Sequence, residues 1–165
     1  ITNIVTGSKI IFKGIKAGSS TQTANLKSIS GVTCWVMDEA EELVDEDIFN
    51  KIDESVRTKG VQNRVILILN PTTKEHWIYN RFFIENGVKG GSNTIAGDTA
   101  YIHTTYLDNV ENLAPSFVAN AERLKLRRPD EYKNRFMGGW LDKADGVIFE
   151  NWRVGEFVDA FHVPW

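Results

Sequence analysis

The chain has 165 residues, 42% hydrophobic and 25% charged, a length and balance that build one domain with a core of its own and exclude a disordered tail. Its formal net charge of -3 excludes a general attraction to polyanions, so nucleic-acid contact requires a local basic patch or a bound metal. The lone cysteine, Cys34, excludes an internal disulfide and a cysteine zinc cluster and reads as a packing residue in a reducing compartment.

In chain order, "SKIIFKGI" (8–15) reads as a short strand and "AGSSTQTANLKSISG" (17–31) as a polar loop. Val32 to Met37 is a mostly apolar run ending in Asp38 and Glu39, the pattern of a strand buried on both faces that delivers two carboxylates to a sheet edge. From Asp45, an N-cap type, Ile48, Phe49, Ile52 and Val56 recur at helical spacing up to "RTKG". "NRVILILN" (63–70) repeats the buried-strand pattern, and two such strands around a helix predict a parallel sheet.

After "NPTT", Trp77, Ile78, Phe82 and Phe83 mark an aromatic helix running to Gly87, and "GVKGGSNTIAGD" reads as a mobile glycine-rich loop. "TAYIHTTY" (99–106) reads as a third strand. Pro115 opens a helix with Phe117, Val118, Ala121 and Leu124 on its apolar face, and Pro129 stops it before a second short helix. From Asp142 onward, "GVIFENWRV" reads as a new element. His76, His103 and His162 form no metal-ligand pair at helical spacing and read as structural.

No apolar run has the length of a membrane helix, and residues 1–20 lack the order of a signal peptide. An intracellular chain is expected, and the start without Met and the end at "FHVPW" point to a piece of something longer.

In α/β proteins ligands sit beyond the carboxyl edge of the sheet, where "VTCWVMDE" places Asp38 and Glu39. In nucleotide hydrolases of the P-loop class an Asp so placed holds the magnesium shell, and the next Glu polarises the attacking water. The bland alternative is that both carboxylates only open a helix, at the positive end of its dipole. Asn70, Thr72 and Thr73, at the end of the second strand, offer an amide and two hydroxyls that could sense a γ-phosphate and its water, or merely form a turn. A phosphate-binding G-x-x-x-x-G-K-[ST] is not found, since Lys never directly follows Gly.

The segments "SKIIFKG", "LKSISGVTCWVMDEAEEL", "ILILNPTTKEHWIYNRFF", "YIHTTYLDNVENL" and "YKNRFMGGWLDKADGVIFENW", in this order, resemble the ATPase domain of the large terminase subunit of tailed bacteriophages. The resemblance implies an α/β fold of three-layer, RecA/ASCE type with a mostly parallel sheet that is incomplete at the N-terminus. It divides the chain into ATPase domain (1–141, with a lid-like subdomain from about 107) and a linker (142–165) entering the nuclease. It makes Asp38 the residue that organises Mg2+ through water, Glu39 the catalytic carboxylate, and Asn70 to Thr73 the coupling motif that links hydrolysis to DNA movement. Implied ligands and partners are ATP, Mg2+, double-stranded DNA, the small terminase subunit, the portal protein and further copies in a ring, in the cytoplasm of the bacterial host.

The family usually carries Gly-Glu-Trp where this chain has Gly138, Gly139 and Trp140. Its Walker A loop precedes the stretch matching Ile1, a βα unit of about 30 residues or more upstream, and its nuclease carboxylates follow the stretch matching Trp165. The piece alone is therefore expected neither to bind ATP well nor to cut DNA. Competing readings are a helicase, from "DEAE", and a non-catalytic binding or scaffold module. Two further features keep open readings. "EAEELVDEDIFNKIDE" reads as a solvated helix face or, alternatively, a partner-binding acidic surface, and Lys125, Arg127, Arg128, Lys133 and Arg135 as helix-end charges or, alternatively, as contacts to DNA phosphates or a charge supplied to a neighbouring ATP site. The five tryptophans read as core or subdomain contacts.

Overall fold

The computed structural model describes residues 1–14 and 30–142. Strand β1 (Cys34–Met37) lies parallel to β2 (Arg64–Leu67), with Cys34 opposite Arg64 and Met37 opposite Leu67. The connection carries a short 3-10 turn (Ala40–Glu42) and helix α1 (Glu46–Asp53), so this part is a βαβ unit. Asp45 caps α1 as its sequence predicts, its side chain accepting from the Asp47 N–H at 2.9 Å. The helix stops at Asp53, short of Val56, where the chain turns through Ser55 and Val56.

Both strands are shorter than the apolar runs that encode them, and only one face of the pair is covered. Trp35, Met37, Val65 and Leu67 point into a core with Ala40, Leu43, Phe49, Trp77 and Ile78. Because side chains alternate along a strand, the opposite face carries Cys34, Val36 and Ile66, and it is open. Val36 is 54% exposed and Ile66 43%. The expectation of strands buried on both faces is thus corrected among the described residues, and so is the packing role of Cys34, which is exposed.

Phe49 is the hinge of that core, with its ring centroid 4.7 Å from Trp77 and 5.4 Å from Trp35. The aromatic helix after "NPTT" exists, but Tyr79–Glu85 winds as a π-helix. Arg81 ties it to α1: its Nη1 donates to Glu46 Oε1 at 3.0 Å and Asn50 Oδ1 at 2.7 Å, and its guanidinium lies 4.9 Å from the Phe49 ring centroid.

Three expectations fail in instructive ways. Residues 8–14 form no strand. Asn3 Oδ1 accepts from the Val5 and Thr6 N–H groups, and this local turn folds residues 1–10 back on themselves with one isolated Thr2–Lys9 bridge. The glycine-rich stretch supplies one strand and the turn of an antiparallel hairpin: β3 (Thr94–Ala96) pairs with β4 (Thr99–Tyr101) across Gly97 at φ +60° and Asp98. The third strand is this β4 alone, paired with β3 and not with the parallel sheet. It ends early because Thr105 caps a 3-10 segment (Tyr106–Asn112): the Thr105 N–H and hydroxyl both bond Asp108 Oδ2.

Helices α2 (Pro115–Arg127) and α3 (Pro129–Met137) form as predicted, each with Pro in its first turn. They pack through Ala121 and Tyr132, with Tyr106, Phe117 and Phe136 edge-to-face around them. Gly138 ends α3 at φ +63°, in a left-handed conformation that favours glycine; a Cβ there would lie 2.9 Å from His103 Cε1. Trp35, Trp77 and Trp140 pack in or against the core, as expected. The loop expected over 17–31 falls outside the described residues except at its end, and the element expected beyond Asp142, with His162, Trp152 and Trp165, lies outside them.

Candidate functional site

The site grows out of the parallel register. Ile68 N–H donates to Met37 O at 2.9 Å, and Ala40 N–H reaches back to Ile68 O at 2.9 Å. These two bonds hold the end of β1 against the end of β2, so Asp38 and Glu39 leave one strand beside the residues that lead into Asn70 on the other. Both carboxylates are exposed. Asp38 Oδ1 accepts from the Glu39 N–H at 3.2 Å, and among the described residues neither carboxylate has a cation within ion-pair distance.

Glu39 sits at φ 52°, ψ 48°, the one non-glycine residue at positive φ among those described. A left-handed L-residue of this kind costs about 1–2 kcal/mol, and such strain collects at functional sites. The strain arises where the chain must leave a strand and enter the Ala40–Glu42 turn in a single residue, with Ala40 fully buried.

Asn70 joins this edge through a residue that sequence reasoning missed. Its Nδ2 lies 3.4 Å from Glu41 Oε1, while Glu41 Oε2 is buried without a hydrogen-bond partner among the described residues. Glu41 therefore belongs to the strand-tip cluster and not to a solvated helix face, and the acidic run is broken into a 3-10 turn and α1 in place of one long helix. His76 supports it from below: its Nδ1 accepts from the Ile78 N–H at 3.2 Å, so Nε2 carries the proton donated to Glu41 O at 3.1 Å. His76 is structural here, as expected.

Thr72 and Thr73 are placed differently. No hydrogen bond among the described residues links either to Asp38 or Glu39. Thr72 O accepts from the Leu141 N–H at 2.9 Å, Thr73 forms a parallel bridge with Leu141, and Thr73 lines an open concavity of about 540 Å³ with Glu46, His76, Trp77 and Asn80. Among the described residues no group of three acids, histidines or cysteines is arranged to hold a metal.

The family profile described as phage terminase large subunit matches residues 1–139. The chain belongs to that family. Comparison with curated proteins gives no match. The terminase match spans both strand tips, the "NPTT" segment and all of α3, and it carries with it the ATP-driven packaging of phage DNA in general terms. The helicase and scaffold readings gain nothing from it. No helix among the described residues is long and apolar enough to cross a membrane. At Gly139, where the resemblance implied Glu, an added Cβ would stand 3.2 Å from Lys133 O, so this turn is closed more tightly than a side chain accommodates without a small shift.

Proposed function

We propose that this chain supplies the carboxylate half of a terminase ATP site, in which Asp38 organises Mg2+ through water and Glu39 orients the water that attacks the γ-phosphate. The observation that carries the reading is the pair of backbone bonds between Met37, Ile68 and Ala40, which sets both carboxylates at the tip of the Asn70 strand. The fit to Mg2+ rests on the donor set. This ion keeps several waters and takes one or two carboxylates plus phosphate oxygens, and Asp38 offers an exposed carboxylate with no competing cation among the described residues. When bound, the ion supplies charge neutralisation at the phosphate oxygens.

The remaining roles belong to the protein. Glu39 accepts hydrogen bonds from the water, and its left-handed backbone fixes where the side chain starts. Asn70, held by Glu41, presents an amide donor beside anionic oxygens, a role another carboxylate would fill badly. Thr72 and Thr73 connect the strand tip to the chain that follows α3, consistent with coupling of hydrolysis to DNA movement.

The proposal extends to the fold and the partners. The βαβ unit is one part of a larger three-layer P-loop-type sheet, a reading supported by the apolar outer face of Val36 and Ile66. The 3-10 segment with α2 and α3 forms the lid-like part, and the intact protein works on double-stranded DNA with portal and small-subunit partners. Asp38→Asn in the intact terminase tests the site. DNA-stimulated ATP turnover is expected to fall by on the order of 10²–10³, and unchanged turnover excludes the metal role.

A further inference from the structure

The side chain of Asn134 in α3 does something neither the coupling motif nor the lid explains. Its Nδ2 donates one N–H to Pro71 O at 2.7 Å and the other to Gly139 O at 2.8 Å. Both partners are carbonyls, so the amide can point only one way. Neither carbonyl has another hydrogen bond among the described residues. Around this bridge Leu141 N–H donates to Thr72 O at 2.9 Å and Lys74 N–H to Leu141 O at 2.8 Å, which makes Leu141 a one-residue parallel strand beside Thr73. Lys74 Nζ closes the far side on Asp142 Oδ1 at 2.6 Å.

We infer that Asn134 is a positioning residue that clamps the Asn70–Lys74 segment to residues 139–142, so that displacement of the strand tip and displacement of the chain leaving α3 are one movement. The inference rests on the nucleotide-site reading for what drives the movement, but the clamp itself is a property of these bonds. The strand tip is fixed at one end by Ile68 to Met37 and Ala40, and at the other by Asn134 and Leu141. Between those anchors lie only Leu69 and Asn70, too short a stretch to absorb a shift by bending. Without Asn134 two half-buried carbonyls lose their donor at once.

The test compares Asn134→Ala and Asn134→Asp in the intact terminase. The Asp variant keeps the shape and sets carboxylate oxygens against two carbonyls. Amide hydrogen exchange at Lys74 and Leu141 is expected to quicken by about tenfold or more, with Ile68 and Ala40 unchanged. ATP turnover without DNA should stay within about threefold while DNA moved per ATP drops by about tenfold, the Asp variant being worse. Exchange that quickens equally at Ile68 and Ala40, with turnover and movement falling together, reduces Asn134 to a fold residue and overturns the inference; so does unchanged exchange and movement. Asp38→Asn run in parallel keeps the two readings apart. If it leaves turnover intact the nucleotide site fails, and exchange at Lys74 and Leu141 still decides the clamp.

Discussion

In the α2–α3 pair, Lys125 stands 3.6 Å from Glu122, Lys133 3.3 Å from Asp130, and Glu131 takes Arg128 at 3.2 Å and Arg135 at 2.9 Å. At the end of the β1–β2 sheet, Asp38 and Glu39 meet no cation at all among the described residues. The helical charges are partnered one turn away on their own or the adjoining turn, where each such exposed pair contributes about 0–1 kcal/mol. The strand-tip charges stand on a buried aromatic scaffold, at a backbone strained by the single-residue exit from β1 and with no side-chain cation among the described residues to answer them. Charges that a fold leaves unmatched beside its buried core are the ones to examine for chemistry. The same contrast weakens a DNA-phosphate role for Lys125, Arg128, Lys133 and Arg135, whose charge is already answered locally.

The sharpest way to break the comparison is to soften the scaffold. Phe49→Ala removes the ring that touches Trp35, Trp77 and Arg81. It is expected to lower unfolding free energy by about 3–5 kcal/mol, read by urea denaturation followed through tryptophan fluorescence. A loss under about 1 kcal/mol would show that the strand tips do not rest on this core.

Glu39→Gly is a subtler probe, because glycine accepts φ 52° without strain. Stability should rise by about 0.5–1 kcal/mol while ATP turnover in the intact protein is lost, a split between thermal melts and activity that a plain helix-capping carboxylate would not give.

Acid provides the smallest effect and acts on the helical side. Bonding to Arg135 and then Arg128 holds the Glu131 carboxyl below its usual range, and the Thr105 N–H does the same for Asp108. A carboxylate lowered on folding stabilises fully above its unfolded pKa, and that contribution disappears as pH falls through the folded value. Helical signal from α2–α3 should therefore weaken below about pH 4, and Glu131→Gln should flatten the pH dependence of circular-dichroism melts. An unchanged profile would mean these pairs contribute nothing.

Patterns that act locally were legible in the sequence. The apolar runs located β1 and β2, Asp45 marked the start of α1, Pro115 and Pro129 marked α2 and α3, and the DE pair after an apolar run marked the strand tip. What was hidden depends on partners distant in the chain. Which strand face is open is set by what packs on it, so Cys34 and Val36 could not be told from Trp35 and Met37. The hairpin at 94–101 was masked because its glycines read as loop although Gly97 serves its turn. Glu41 was lost in an acidic run, and Asn134, 63 residues from Pro71, has no local signature at all. A signal was available for Glu41: Ala40, small and apolar, already interrupts the acids where the turn must tuck inward.

The π-helix at Tyr79–Glu85 has a consequence for how this chain tolerates length variation. Its coil is wider than that of an α-helix and is commonly reached by inserting one residue into a regular turn. Removing a single residue there should let the segment relax into ordinary helical pitch, whereas the same deletion in α1 would shift its apolar stripe off the core. The rotation would also unstack Tyr79 from Phe83, now parallel at 5.5 Å, and draw Phe83 away from Trp140. Relatives that differ by one amino acid between "NPTT" and Gly87 are thus expected to differ in how firmly Trp140 is gripped, making that gap position a natural dial on the stretch beyond α3.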